Sequence, residues 1–523
     1  MLRRGCPPEQ KWNSPCPPCF SNFNTEYTEG LRELCVEALL ATEDTEAPNT
    51  MTKSGTYIAA TDLGAESGRV VLCRCTGEEG ILEEVHRFPN GAREEAGHLV
   101  WDLERLWQEV VKGLRLAVSK AGGRIASVGV DGWGVDYVLL DRTGNRIGRS
   151  YCYRDARNLP QMERVFALLP QRRLYEITGI QLLPFNTVFQ LMAHIAEFPS
   201  EWDRAAKWLT LPEYFLFRLS GVAMAEYTEA STTQLLDVYK RSWSEELTRA
   251  LKLNLEKFPP IAPPGTPLGK MRKELATDLG LSNVQVIAPA CHDTGAAVAG
   301  IPFAHEKLAF ISSGTWSLVG MVVSSPVVTA DSFEENFTNE GGVAGSIRFL
   351  RNVIGLWLLQ ECLREWKAQG LELTAADLAQ QCSEAPAIGP SFDAEAKAFL
   401  APGNMISRIN AALKARGFEE ETQPKELAAI IFRSLAGQYA KSIKALQAMT
   451  GKPIERICIV GGGVKNETLN RLTQELTGRE VLRGPSESTT VGNVATQIAA
   501  LEKTKSLDQI QAISARLKFP TAS

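Results

Sequence analysis

The stretch Tyr57–Cys73, YIAATDLGAESGRVVLC, limits the fold more than any other part of the chain. It runs from one apolar, β-forming segment through a small-residue turn into another, which predicts a β-hairpin. The turn carries Gly64, Ser67 and Gly68, and Asp62 stands at its mouth. Backbone N–H groups in such a turn belong to no ladder, and glycine lets an anion approach them closely. A carboxylate there repels a bare phosphate but anchors one through Mg²⁺, which takes carboxylate and phosphate oxygens and keeps its waters. The same grammar returns in KLAFISSGTWSLVGMVV, Lys307–Val323, with the hydroxyl-rich turn Ser312–Thr315 between two strands. Two such hairpins, each opening one half of the chain, predict duplicated domains facing one nucleotide, with the boundary near residues 300–306.

A chain of 523 residues is too long for one core. Its 44% hydrophobic and 22% charged residues are those of a soluble globular protein. A net charge of -5 argues against nucleic-acid binding, which leaves a basic footprint. No run is long enough to predict a membrane span, and the N-terminus lacks the apolar core of a secretory signal. The eleven cysteines are scattered, many in apolar runs, as expected of reduced thiols in the cytoplasm. Residues 1–54 differ from the rest. CPPCF at Cys16–Phe20 with outlying Cys6 and Cys35 lacks the second pair of a zinc site. A short helix around Leu31–Leu40 fits the spacing. The segment reads as a disordered extension, with Met51 as the functional start.

Four further stretches carry chemistry. In DGWGVDYVLLD (Asp131–Asp141) and YCYRDARN (Tyr151–Asn158), an aromatic stands among carboxylates and small residues after a strand. Aromatic faces with donors and acceptors suit a sugar; a polar loop with a structural Trp133 reads equally well. In VQVIAPACHDTGAAVAGIP (Val284–Pro302), Asp293 projects from a strand-to-helix corner, as a proton acceptor or as a helix cap. Asp237, in an apolar-alternating run, reads as structural. In ICIVGGGVKNETLNRL, three glycines follow a strand and permit close approach of a flat ligand or phosphate. The small-residue helix of PSESTTVGNVATQIAAL, like the one after Asp293, is suited to close packing. An amphipathic helix is expected from about Asn352. No P-loop or dinucleotide-binding glycine motif occurs, so any ATP site uses another architecture.

The ordered set DLGAESGR, DGWGVDYVLLD, YRDAR, CHDT, SSGTWSL, NEGG, LRNVIGLWLLQ and IVGGG resembles the glycerol/xylulose/fuculose-type carbohydrate kinases of the actin–hexokinase superfamily, over residues 57–501. Within that family the combination is similar to the branch acting on L-rhamnulose. The resemblance implies an α/β fold of two duplicated ribonuclease-H-like domains with a cleft between them. The expected organisation is an extension (1–54), kinase domains at 55–303 and 304–503, and a tail (504–523). It implies a cytoplasmic enzyme of L-rhamnose catabolism that transfers phosphate from ATP to O1 of L-rhamnulose; the alternatives are L-fuculose, D-xylulose or another polyol, or a non-catalytic regulator on the same fold. The partners are a small-molecule sugar and ATP, with no nucleic acid or membrane, in a monomer or dimer.

Carried over by position, the resemblance puts a phosphate loop on Ala65, Glu66, Ser67, Gly68 and Arg69, and Mg²⁺ on Asp62 through water. It puts sugar contacts on Gly134, His292, Asp293, Thr294 and Asn352, with Asp293 the proton acceptor, and further nucleotide contacts on Thr315, Gln360 and Gly462. Gly132 stands where this family more often has a hydroxyl residue, and Cys291 where serine is common; both positions are expected beside the sugar.

Overall fold

The protein is described here as a computed structural model covering Lys53 and residues 55–520. The expectations for the N-terminal cysteines, the helix near residues 31–40 and Met51 lie outside the described residues. In the first half, the elements that position the site are β1 (Tyr57–Leu63), β2 (Ser67–Cys75), β3 (Gly80–Pro89), α1 (Leu103–Ala121), β4 (Ile125–Gly132), α2 (Tyr227–Thr232), β5 (Thr266–Lys270), β6 (Gln285–Ala288) and α3 (Asp293–Ala299). The second half supplies β7 (Leu308–Ser313), β8 (Trp316–Val323), β9 (Thr338–Gly341), β10 (Ile347–Ile354), α4 (Trp357–Ala368), α5 (Pro424–Thr450), β11 (Arg456–Val460), α6 (Glu467–Thr477) and β12 (Glu480–Arg483). The chain then forms α7 (Ser488–Leu501), α8 (Leu507–Ser514) and β13 (Leu517–Lys518).

Two sheets result. The first has the order β5-β6-β4-β1-β2-β3-β13, the second β9-β10-β8-β7-β11-β12. In each, an opening hairpin (β1–β2, β7–β8) is antiparallel, a third strand extends it antiparallel (β3, β10), and two parallel strands continue the sheet beyond its first strand (β4 then β6, β11 then β12). The repeated order is the duplication that the two hairpin sequences announce.

The first sheet is covered on both faces, so its strands read as continuous apolar runs. Alternate residues point opposite ways: Ala59 and Leu63 join the core with α1, while Ile58 and Ala60 join that with α3 and α7. Helix α1 starts where Asp102 Oδ1 accepts the Arg105 N–H at 3.1 Å and ends at Gly122, whose φ of 57° is left-handed. Helices α3 and α7 cross almost backbone to backbone. A Cβ on Gly492 would lie 1.8 Å from the Ala296 carbonyl oxygen, and one on Gly300 2.2 Å from that of Ser488. Only glycine permits that approach, so the small residues of both helices are a packing device.

Two features differ from the sequence reading. Asn352 lies in strand β10, and the helix starts only at Trp357. The run FLRNVIGLWLL suits either period, but Leu318↔Asn352 and Trp316↔Ile354 pair across the sheet, and Gly355 ends the strand. The expected tail is structured: Ile510, Ile513 and Leu517 are buried in the first domain's core, and β13 pairs with β3.

Candidate active site

A cavity of about 500 Å³ lies between the two sheets, lined from both halves. The turn after β1 contributes Ala65 and Glu66, and β2 contributes Ser67 and Arg69. The turn between β7 and β8 contributes Gly314 and Thr315, and the segment after β11 contributes Gly461 and Gly462. The two glycine-bearing hairpins therefore open onto one space. Gly68, expected on the phosphate loop, does not line it: a Cβ there would lie 2.3 Å from the Phe88 ring, so this glycine serves strand packing. Gln360, expected at the nucleotide, is in the first turn of α4 and is not on the cavity wall.

Asp62 sits behind the turn at 5% exposure. It faces Arg69 across the β1–β2 ladder, with Arg69 Nε 3.1 Å from Oδ2. Burial raises its pKa; Arg69 and a 3.4 Å hydrogen bond from Thr490 pull it back. The Arg69 guanidinium is also paired with Glu487, just before α7. Next to Asp62 in register, Asp131 is fully buried; Oδ2 accepts from Asn493, while Oδ1 has no hydrogen-bond partner.

On the other side of the cavity, Trp133, Gly134 and Val135 follow β4. Asp136, a candidate for chemistry by its neighbourhood, is an internal strut. Its Oδ2 accepts the indole N–H groups of Trp101 (2.6 Å) and Trp133 (3.0 Å), and its Oδ1 accepts from Gln190 (2.9 Å). Burial lifts its pKa to about 6 against these three donors. Val135 has φ +72°, strained for a β-branched residue, with Asp136 N–H donating to Gly134 O at 3.0 Å. Thr187 and Gln190 donate to the Val135 carbonyl and hold this bend. Asp155 and Arg157 are likewise structural. Asp155 accepts the Leu99 N–H at 2.6 Å, and Arg157 lies buried 3.5 Å over the Tyr151 ring. Asp237 closes a turn by accepting from Tyr239 and Lys240.

His292, Asp293 and Thr294 reach the cavity at the corner between β6 and α3. Asp293 is the first residue of α3, and its Oδ1 accepts from Thr294 N–H (2.5 Å) and Oγ1 (3.1 Å). Its side chain keeps 35% exposure. Its pKa is pushed up to about 7, by desolvation first and by the Asp62 charge second, against the Thr294 hydrogen bonds and Arg348. An oxygen so poised can hold a proton at neutral pH and release it. Asn352 faces the same cavity, where Gln181 Oε1 accepts its amide at 3.0 Å. Gly132 and Cys291, expected beside the sugar, do not line the cavity; Cys291 is fully buried, its N–H bonded to Glu226.

Gln181, Glu340 and the bent Val135 were not singled out from sequence. Glu340 is signalled only as a charge followed by two glycines in NEGG. Gln181 is brought in by a contact that spans 171 residues.

The N-terminal domain pattern of the FGGY family of carbohydrate kinases matches residues 57–300, and its C-terminal domain pattern matches residues 309–501. The chain belongs to the FGGY family of carbohydrate kinases. Among relatives of this kinase, the rhamnulokinase of Oceanobacillus iheyensis is 39% identical over 87% of this chain and 95% of its own. That of Bacteroides thetaiotaomicron is 39% identical over 84% and 89%. The same fold occurs in the ligand-bound xylulose kinase from Lactobacillus acidophilus (TM-score 0.74, 18% identity, 88% of this chain and 92% of the other). It also occurs in Plasmodium falciparum glycerol kinase with ADP (TM-score 0.72, 15% identity, 88% and 92%).

Kinases of this family use ATP and a divalent metal. The residues of this kinase fit a metal held mainly by phosphate and water. No group of three or more metal-ligating side chains exists among the described residues, yet Asp131 offers an unpartnered oxygen beside Asp62. Among those residues, no helix is long and apolar enough to cross a membrane. The seven described cysteines are buried.

Proposed function

We propose that this carbohydrate kinase transfers the γ-phosphoryl group of ATP, as its Mg²⁺ complex, to O1 of L-rhamnulose, in the cytoplasm, as a step of L-rhamnose catabolism. We assign its two kinase domains to residues 55–303 and 304–503, with α7, α8 and β13 packed back on the first. The observation that carries the reaction type is the convergence of both hairpin turns and Asp293 on one cavity. The choice of sugar is supported by two relatives named rhamnulokinase, each 39% identical over at least 89% of its own length.

In this reading the primary hydroxyl of the sugar sits against Asp293, which takes its proton as the oxygen attacks phosphorus. Ala65, Glu66, Ser67 and Arg69 face the phosphates from one side, and Thr315 and Gly462 from the other; their N–H, O–H and guanidinium groups offset charge on the transferring oxygens. Asp62 would hold Mg²⁺ through water, and the metal supplies charge neutralisation to the phosphates when bound. Arg69 then exchanges carboxylate partners for phosphate oxygens. His292, Thr294, Gly134 and Asn352 orient the sugar, and Trp133 shields the transfer from water. Catalysis is positioning and charge stabilisation.

The test is a coupled ADP-release assay with L-rhamnulose, L-fuculose, D-xylulose and glycerol, with Mg²⁺ present or chelated. L-Rhamnulose is expected to give the highest kcat/KM, and only with metal. A higher value for another sugar overturns the substrate; no sugar-stimulated ADP release overturns the kinase reading.

A further inference from the structure

Behind the proton acceptor lies an ion pair that the reaction as described does not use. Glu340 and Arg348 are directly opposed on β9 and β10 of the second sheet. Arg348 is fully buried and Glu340 is 6% exposed. The guanidinium spends its three faces on three partners. Nε donates to the Gly341 carbonyl at 2.8 Å, one terminal nitrogen lies 3.0 Å from Glu340 Oε2, and the other lies 3.1 Å from His292 Nδ1. The imidazole belongs to the first domain, so this contact bridges the halves.

A guanidinium has donors only, so Nδ1 of His292 accepts from it at 3.1 Å; Glu340 Oε2, 3.6 Å from the same nitrogen, lies beyond hydrogen-bond distance. The ring stays neutral, because burial and the adjacent Arg348 charge hold its pKa well below the usual value. A neutral ring that accepts at Nδ1 carries its proton at Nε2. That atom lies 3.4 Å from Asp293 Oδ1. Room for the ring comes from Gly134, where a Cβ would lie 3.0 Å from Nε2.

We propose that Glu340 and Arg348 are positioning residues that fix His292 in its Nε2–H form and aim that N–H at the Asp293 carboxylate. The pair thereby ties the second domain to the proton-accepting group of the first: the N–H is oriented only when β9 and β10 lie against the α3 corner. The inference rests on Asp293 as the base. Other charged groups act on this corner, namely Asp62, Asp131 and Glu229, and all remain in place in the variants below.

The experiment is ¹⁵N-histidine NMR of the full-length enzyme, with the His292 signal identified by its loss in His292→Gln, combined with steady-state kinetics. Wild type is expected to show a neutral ring protonated at Nε2 between pH 6 and 8; protonation at Nδ1 overturns the proposal whatever the variants do. Arg348→Met leaves a buried carboxylate unpaired, so the charge-balanced double variant Arg348→Met with Glu340→Gln is measured beside it. In the double variant the single tautomer is expected to give way to a mixture, with kcat down about tenfold or more and the KM for ATP within about twofold. Arg348→Lys retains a donor but lacks the planar fork, and is expected to recover part of kcat. Unchanged kcat in the double variant, or a loss of kcat with the His292 signal unaltered, overturns the proposal. Failure of the base reading shows separately, as turnover retained by Asp293→Asn while the wild-type His292 signal stands.

Discussion

A base with a pKa of about 7 makes turnover depend on pH near neutrality. Asp293 is lifted there from 3.8 by desolvation and by the Asp62 charge. With a pKa of about 7 the carboxylate is about nine-tenths ionised at pH 8, half at pH 7 and one-tenth at pH 6. The kcat ratio between pH 8 and pH 6 is then about tenfold; with the ordinary value of 3.8 it would be close to one. The assay is ADP release at saturating sugar and nucleotide from pH 5.5 to 8.5, with single-turnover measurements to show that phosphoryl transfer is observed. Asp62→Asn supplies the control. Removing the second-largest cause moves the acid limb to lower pH, with rates normalised to that variant's own plateau, whereas an ionisation of ATP would stay put. A profile flat from pH 8 to pH 6, or a limb that ignores Asp62→Asn, refutes this account of Asp293. The folding side has the opposite sign. The folded state holds this proton between pH 3.8 and about 7 where the unfolded chain does not, so stability is gained as pH falls through that window. Asp293→Asn is therefore expected to raise the melting temperature most at pH 8, less at pH 5, and little below pH 3.8.

Loss of the base itself, in Asp293→Asn, is expected to lower kcat by about 10²–10⁴ with sugar affinity within a few-fold, read by kinetics and calorimetry. Gly492→Ala forces α7 away from α3, because the new Cβ would lie 1.8 Å from a backbone oxygen. Overpacking of this kind costs about 1–3 kcal/mol, visible in urea unfolding, while Gly437→Ala on the exposed side of α5 is expected to be neutral or stabilising. Asp136→Ala strands the indole N–H groups of Trp101 and Trp133, while the Gln190 amide keeps its carbonyl partners, for a loss of about 2 kcal/mol or more. By releasing Trp133 it is also expected to raise the KM for sugar.

The parts of the site written in short-range grammar were legible. The two strand–turn–strand runs fall on β1–β2 and β7–β8, and the strand-to-helix corner at Asp293 is where periodicity put it. The crowding of small residues in α3 and α7 also announced close packing. Features that depend on pairing between distant strands were not legible. Asn352 was misread as helical because RNVIGLWLL fits either period, and only its partner on β8 decides. Arg348 and Glu340 acquire meaning from cross-strand register and from an imidazole 56 residues away from Arg348 in sequence. Trp133 was ambiguous for the same reason: the carboxylate beside it is a strut, which is visible only once Trp101 and Gln190 arrive. The segment after Leu501 lacked a strand signal because β13 is two residues long and depends on β3.

The central claim is that sugar, triphosphate and Asp293 meet at one transfer point. Its most direct measurement is a crystal structure with L-rhamnulose and a non-hydrolysable ATP analogue bound together. The account predicts the primary hydroxyl within hydrogen-bond distance of Asp293, and in line with a γ-phosphoryl group held between the Gly64–Arg69 and Ser313–Thr315 turns. A hydroxyl turned away from Asp293, or a triphosphate seated against one turn alone, would contradict it.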